Sequence, residues 1–367
     1  MSAPLREARI DLEALRGNVR ILRGIVAPAQ LLVVVKADGY GHGAGLVARA
    51  AVEAGADRLG VADVDEALAL RAAGVEAPIL AWLHGPDADF HAAVAAGVEL
   101  GLSSPEQLER AAAVGGAVVH VKLDTGLSRN GVAPEEWPAM ASRLAELAVA
   151  GRVRPAGMMS HLSNADEAED AAQLARLLDA ERVAVAAGLD PGLRHIAASE
   201  AAITRPEMRL DMVRIGITMY GLAPDARIDV AALGLRPVME LAGSVIAVRR
   251  VEAGTGVSYG YDHRAERATT LALVPLGYAD GVPRQASGRG AEVAIGGRRH
   301  PVVGRVAMDQ IVVDVGDAEV RVGDRAVLWG DPATGAPSAE EWAGWAGTIG
   351  YEIVTRVGPR VPRAAVG

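Results

Sequence analysis

No cysteine occurs among the 367 residues, which excludes disulfides and thiolate chemistry and is compatible with a reducing compartment. Lysine is nearly absent as well: of the 37 basic residues only Lys36 and Lys122 are lysine, and the other 35 are arginine. No apolar stretch approaches the roughly 20 residues that cross a bilayer. The opening MSAPLREARIDLEALRGN is broken by charge every few residues, so no signal-peptide core is expected there. Basic residues form no cluster beyond pairs such as Arg249-Arg250 and Arg298-Arg299, and the net charge is −9, so a nucleic-acid binder is not expected. These gaps describe a chain expected to be soluble and cytoplasmic, with neither nucleic acid nor membrane as a partner.

The scarcity of lysine carries chemical weight. Arginine stays protonated and forms no Schiff base, whereas a lysine amine can lose its proton and act as base or nucleophile. Codon bias with two chance survivors is the plain alternative. The place of Lys36, directly after the apolar run LLVVV, argues against chance for that residue at least.

Half of the residues are hydrophobic, and the length suits a barrel plus a second domain. From about residue 30 to 220 short apolar runs alternate with segments of helical period. The strand candidates are LLVVVKAD (31–38), RLGVAD (58–63), PILAWL (78–83), VELGL (98–102), VVHVKLD (118–124), RPAGMMSH (154–161), LRHIAAS (193–199) and MVRIGIT (212–218). Stretches such as SPEQLERAAAVGG lie between them, with Ser104 as an N-cap before Pro105. Eight such alternations predict an α/β fold, a (β/α)8 TIM-type barrel. An open doubly wound sheet is the structural alternative. GYGHGAG follows the first strand, but lacks the acidic partner that a dinucleotide fingerprint carries about 20 residues on.

After about residue 225 long helical periods give way to alternating runs such as SVIAVRRV, ATTLALVPL, AEVAIG, QIVVDV and RAVLW, punctuated by Gly and Pro. This predicts a mainly β C-terminal domain. The expected division is an N-terminal strand in residues 1–12 joining that β domain, a barrel over 13–230, and the β domain over 231–367.

In a barrel the chemistry collects at the C-terminal ends of the strands. Lys36 is expected to end the first strand, Lys122 to lie near the end of the fifth, His161 to close the sixth, Ser199 to close the seventh, and Arg214 to lie inside the eighth before Gly216-Ile217. Each has a plain reading too: a lysine reaching solvent, a hydrogen-bonded structural histidine, an arginine paired with nearby Asp211. Together they supply the parts that pyridoxal 5'-phosphate needs. Lys36 suits the Schiff base and Arg214 the pyridine nitrogen. Backbone N–H groups near Gly216, the Ser199 hydroxyl and tyrosine hydroxyls suit the phosphate. Of the six tyrosines, four (259, 261, 278 and 351) lie in the C-terminal part, where the sequence predicts Gly-rich turns rather than apolar runs.

VVKADGYGHGA (34–44) resembles the cofactor-lysine segment of the alanine racemases. The resemblance recurs in order through VKLDTGLSRNG (121–131), SHLSNAD (160–166), VRIGITMYGLAP (213–224), VSYG (257–260), PLGYADG (275–281), GRVAMDQ (304–310) and GTIGYEIVTRVGPRVPR (347–363). It implies interconversion of L- and D-alanine by two bases, supplying D-alanine for cell-wall peptidoglycan, in a homodimer with shared active sites. It further implies that Lys36 holds the cofactor and is the base on one face, and that Tyr259 of the partner subunit is the base on the other. Tyr40, Ser199, Tyr351 and the Gly216-Ile217 backbone would contact the phosphate, and Arg214 would face the pyridine nitrogen. His161 would orient Arg214 or Tyr259. Arg129 would contact the cofactor's phenolic oxygen and the substrate carboxylate, and Met308 of the partner subunit would present its backbone to that carboxylate. Lys122 would be a carbamylated lysine that orients Arg129.

Two departures stand out. Many relatives read Asn-Ser where this chain has Ala198-Ser199-Glu200, so one side-chain hydrogen bond is expected to be missing or replaced. Ala307 stands where some members have cysteine. Rival readings are a racemase of another small amino acid such as serine, and a cofactor-binding regulatory protein, which would typically be a barrel alone. A barrel-type decarboxylase would be expected to use a cysteine, and an aldolase of this kind a metal. No His/Cys/Asp spacing here fits a metal site.

Overall fold

The computed structural model describes residues 4–367; residues 1–3, the start of the segment expected to join the β domain, lie outside the described residues. The chain divides into two compact units. One holds Val19–Gly39 and Ala48–Met219; the other holds the chain up to Asn18, Tyr40–Val47 and Tyr220–Gly367. The first strand, β1 (Arg6–Asp11), belongs to the second unit.

The first unit is built on eight parallel strands: β2 (Gln30–Val34), β3 (Arg58–Val61), β4 (Ile79–Ala81), β5 (Val98–Leu102), β6 (Ala117–Lys122), β7 (Val153–Met159), β8 (Leu193–His195) and β9 (Met212–Ile215). Each pairs with the next from β2 to β8, and β9 pairs with β2, placing Arg214 opposite Leu32. A parallel bridge from Ala198, just past β8, to Arg214 joins the two ends. The sheet is therefore a (β/α)8 barrel, as the alternation predicts, and the open doubly wound alternative falls because that sheet would keep two free edges. Leu31–Val35 is buried throughout, the continuous apolar signature of a strand covered on both faces. Helices return the chain between strands. In Pro105–Val114 the Ser104 hydroxyl accepts from the Gln107 N–H, with proline in the first turn.

The second unit adds β10 (Met239–Ser244), β11 (Ala247–Val251), β12 (Gly256–Val257), β13 (His263–Arg264), β14 (Thr269–Val274), β15 (Glu292–Ile295), β16 (Arg298–Val303), β17 (Ile311–Gly316), β18 (Arg325–Trp329) and β19 (Arg363–Val366). Nine strands form one sheet in the order β11-β14-β17-β16-β15-β18-β10-β1-β19, while β12 and β13 pair separately. β1 runs antiparallel to β10, with Ala8 opposite Leu241, and parallel to β19, with Ile10 opposite Ala365. β17 buries alternate side chains, as a strand with one covered face does.

Two sequence expectations change here. SVIAVRRV is not one strand: β10 ends at Ser244 and β11 begins at Ala247. The unit also holds helices Ala339–Ala346 and Gly350–Thr355, so Tyr351 lies on a helix rather than in a turn. A legible signal was present for the first of these, since Ser338 and Glu341 form a reciprocal capping box. Among the described residues no helix is long and apolar enough to cross a membrane.

Candidate active site

Strand β2 ends at Val34, and Lys36 opens the segment Lys36–Tyr40 instead of ending the strand. That segment is left-handed: φ is 52° at Ala37, 53° at Asp38, 62° at Gly39 and 53° at Tyr40. Two features of the barrel unit hold its start. Gly39 N–H donates to the Val35 carbonyl at 2.8 Å, and Glu66 accepts from Ala37 N–H at 2.6 Å and from Ala62 N–H at 2.8 Å. Consecutive non-glycine residues in this conformation cost of order 1 kcal/mol each, so the surrounding bonds over-determine the turn that presents Lys36. Burial pushes the Lys36 amine below the usual lysine range; the Arg129 charge lowers it further, against the raising effect of Glu66.

Lys122 ends β6 and is buried. Burial, then Arg129 and Arg214, bring its amine down to about 8, opposed by Asp124. Arg129 itself is exposed, on a loop whose backbone is folded over the Asp124 carboxylate through Gly126 N–H at 2.9 Å and Ser128 N–H at 3.1 Å. Gly131 is required where that loop closes: at φ 137° an added Cβ would lie 2.5 Å from the Asp124 nitrogen.

Arg214 is buried inside β9, and its terminal nitrogens are fully spent. Nη1 reaches His195 Nδ1 at 2.9 Å and the His195 carbonyl at 3.0 Å. Nη2 donates to the carbonyls of Ser160 at 2.6 Å and Ile196 at 3.0 Å and lies 3.2 Å from His161 Nδ1. Among the described residues Nε–H has no partner. Asp211, the carboxylate expected beside Arg214, pairs with Arg194 instead, at 2.7 Å. Burial brings Arg214 down to about 10, still cationic at neutral pH. His161, two residues beyond β7, is pushed down to about 3 by burial and then by Arg214, Arg129, Lys122 and Lys36. It is a neutral acceptor.

Ser199 opens helix Ser199–Thr204 rather than closing a strand, and its hydroxyl accepts from Gly216 N–H at 3.1 Å. Ile217 follows at the start of the turn Ile217–Tyr220. Ala198 caps that helix with no side-chain hydrogen bond, so the bond lost with asparagine is not replaced at the cap. The barrel unit thus brings together Lys36, Lys122, Arg129, His161, Ser199, Arg214, Gly216 and Ile217.

The other sequence-derived candidates belong to the second unit. Tyr40 is buried, its ring centroid 5.0 Å from Tyr220 and 6.2 Å from Tyr351. Burial, and then Tyr351, hold its hydroxyl protonated well above the ordinary tyrosine range. Tyr259 and Met308 are 69% and 53% exposed. Their segments are tied together: Ser258 (φ 60°) donates from Oγ to the Arg305 carbonyl at 2.9 Å, and Arg305 pairs with Asp262. Met308 accepts through its carbonyl from Ala279 N–H at 3.0 Å.

Sequence reading missed His195, Glu66, Glu99 and His120. The last two could have been found, as polar residues flanked by apolar ones inside the strands VELGL and VVHVKLD.

The family models for the alanine racemase N-terminal and C-terminal domains match residues 10–224 and 238–365. An alanine racemase of Thermobifida fusca is 50% identical, with 98% of each chain covered. The solved structure of the alanine racemase from D-cycloserine-producing Streptomyces lavendulae superposes with a TM-score of 0.97 at 44% identity, covering 100% of this chain and 98% of that one. That of Streptomyces coelicolor A3(2) gives 0.96 at 46% identity, covering 99% and 98%. The likeness runs the length of both units and includes the strand ends where the polar residues converge, so the chain belongs to the alanine racemases, an isomerase family.

Proposed function

We propose that this protein interconverts L- and D-alanine in the cytoplasm as a homodimer, with pyridoxal 5'-phosphate held on Lys36, and so supplies D-alanine for peptidoglycan. The observation that carries this reading is Lys36 itself. One of only two lysines in the chain, it opens a stiff turn at the mouth of the barrel, where burial and Arg129 lower its proton affinity. A neutral amine is what an aldehyde-bearing cofactor requires, and it is also what a base on a substrate Cα requires.

The donor set fits that cofactor. Arg214 can only donate, and its one uncommitted N–H suits an unprotonated pyridine nitrogen. Ser199, the Gly216-Ile217 backbone, Tyr40 and Tyr351 supply neutral donors for a phosphate, and the protonated Tyr40 hydroxyl is suited to donating. When bound, pyridoxal phosphate supplies the electron-withdrawing system that acidifies the Cα–H of an attached amino acid.

The chain's own groups then divide the work. Lys36 Nζ takes or returns the proton on one face. Tyr259 Oη of the partner subunit does so on the other, and two bases on opposite faces account for inversion. Arg129 holds the substrate carboxylate and the backbone of Met308 of the partner subunit adds to that hold. His161, neutral, orients Arg214. The exposure of Tyr259 and Met308 on their own chain, with their segments cross-tied, supports a site completed by a second subunit.

Lys122 has the chemistry of a carbamylation site: an amine near 8 is about one tenth neutral at pH 7, far more than an ordinary lysine. The neutral amine adds to CO2, a proton leaves nitrogen, and the resulting carbamate would hold Arg129. With labelled bicarbonate, a carbamate carbon signal should appear in the wild type and be missing in Lys122→Arg.

The test of the activity is direct. Purified protein with L-alanine and cofactor should accumulate D-alanine toward an equal mixture, and Lys36→Ala should not. No D-alanine from the wild type with cofactor bound would overturn the racemase reading.

A further inference from the structure

The barrel interior holds a buried polar chain that the reaction described above does not use. It runs from Arg214 Nη1 to His195 Nδ1 at 2.9 Å, from His195 Nε2 to His120 Nδ1 at 3.0 Å, and from His120 Nε2 to Glu99 Oε2 at 3.1 Å. Arg58 Nη1 caps the carboxylate at 2.7 and 2.8 Å, and Arg58 Nε donates to Gln30 Oε1 at 3.1 Å. The residues come from β9, β8, β6, β5, β3 and β2, and both imidazoles are wholly buried.

Chemistry fixes every proton in this chain. Arg214 has no acceptor, so His195 Nδ1 must accept and the His195 proton sits on Nε2. His120 Nδ1 then accepts, and its proton on Nε2 goes to Glu99. Glu99 closes the chain as an ionised carboxylate. Burial alone would raise its proton affinity, but the hydrogen bond from His120 and the charge and hydrogen bond of Arg58 hold it below the usual range. At the other end burial and Arg214 hold His195 neutral, far below the usual histidine range.

The path is built for contact. β7 lies between β6 and β8, and its Gly157 faces the His120 imidazole. A Cβ there would lie 2.3 Å from His120 Nδ1 and 2.5 Å from the Leu193 carbonyl. The two rings meet across an intervening strand because that position has no side chain.

We infer that Glu99 and His120 are positioning residues, which lock the His195 tautomer and so hold Arg214 as a cationic donor aimed at the cofactor's pyridine nitrogen. The inference rests on the cofactor reading only for what Arg214 faces; the relay itself does not depend on it. Each link polarises the next in the same direction, from carboxylate to guanidinium, so the charge at Glu99 is felt at Arg214 through two neutral rings. Gln30 and Arg58 hold the far end.

The test is ring-nitrogen NMR on the cofactor-bound protein labelled in histidine, with His120→Asn and His195→Asn used to assign signals. At neutral pH both rings should carry their proton on Nε2 and none on Nδ1, and His195 should keep that form from about pH 6 to about pH 9. A proton on Nδ1 of either ring, or a cationic ring at neutral pH, overturns the relay whether or not the protein racemises alanine. In Glu99→Gln the His195 Nδ1 signal should move, the absorption band of the bound cofactor should shift, and kcat should fall ~10-fold at nearly constant KM, in the range that supporting partners of a site command. A folded Glu99→Gln protein with all three unchanged overturns the coupling. Loss of racemisation in the wild type, with the ring signals as expected, would instead remove the cofactor reading and leave the relay.

Discussion

Arg6 and Asp280 are separated by 274 residues in sequence and by 2.7 Å in space. Asp280 is fully buried, and Arg360 grips the same carboxylate through Nε and Nη2, each at 3.0 Å, while Gly277 N–H donates to it at 2.9 Å. One carboxylate therefore fastens β1 and the last loop of the chain to the turn Tyr278–Asp280.

Asp280→Asn keeps the shape and removes the charge that two arginines share. The carboxylate is buried while the arginine side chains are 20% and 41% exposed, so the loss falls at the low end for a broken buried pair, about 3 kcal/mol. Urea unfolding of wild type and variant measures it. A difference below about 0.5 kcal/mol would mean that water serves the arginines equally well.

Lys122 gives a pH-dependent expectation. Its folded-state value is lowered from 10.5 to about 8. Between those values the unfolded chain binds more protons, so stability rises with pH across that window, and the full penalty is present below about pH 8. At roughly 1.36 kcal/mol per pH unit the penalty is ~3 kcal/mol. Lys122→Met should therefore stabilise the cofactor-free protein at neutral pH in bicarbonate-free buffer, and the gain should vanish as the pH nears 10.5. A gain that is flat with pH would show that packing, not charge, sets the difference.

Much of this was legible before the fold. All eight barrel strands overlap the apolar runs read from sequence, with β2, β6 and β7 each starting one residue earlier, because strands buried on both faces leave a continuous signal that needs no partner to interpret. Lys36 stood out by rarity and position, and Arg214 by position alone. The left-handed turn after Val35 was not legible: Ala37 and Asp38 carry no glycine signature, and the bonds from Glu66 that hold the turn come from 29 residues away. The Arg214 environment was misread for the same reason. Asp211 is near in sequence, yet it precedes β9 and lies three residues from Arg214, an odd spacing that along an extended chain points to the opposite face, and the acceptors that arrived include carbonyls beyond β7 and β8. Short helices such as Gly350–Thr355 escaped because six residues hold too few periods to register.

Tyr259→Phe should separate the two directions of the proposed reaction. Removing one base leaves Lys36 able to exchange the proton on its own face. Solvent deuterium should then enter one enantiomer of alanine far faster than the other, with racemisation itself reduced ~100-fold or more, the usual scale for loss of a general base. Equal exchange from both enantiomers would assign the second base elsewhere.

The proposed sharing of sites between subunits has a test that needs no structure of a dimer. Lys36→Ala and Tyr259→Phe are each expected to be inactive alone. Refolded together in equal amounts, half of the dimers are mixed. In a two-fold dimer with shared sites, a mixed pair has one site missing both groups and one site with both intact, since the intact Lys36 and the intact Tyr259 come from different chains. One working site in half of the dimers gives about a quarter of wild-type activity. If Tyr259 served the Lys36 of its own chain, every site in every dimer would lack one group and the mixture would stay inactive. Recovery near a quarter therefore requires the exposed Tyr259 turn to work in the other subunit, and no recovery from a mixture shown to contain mixed dimers would place both bases in one chain.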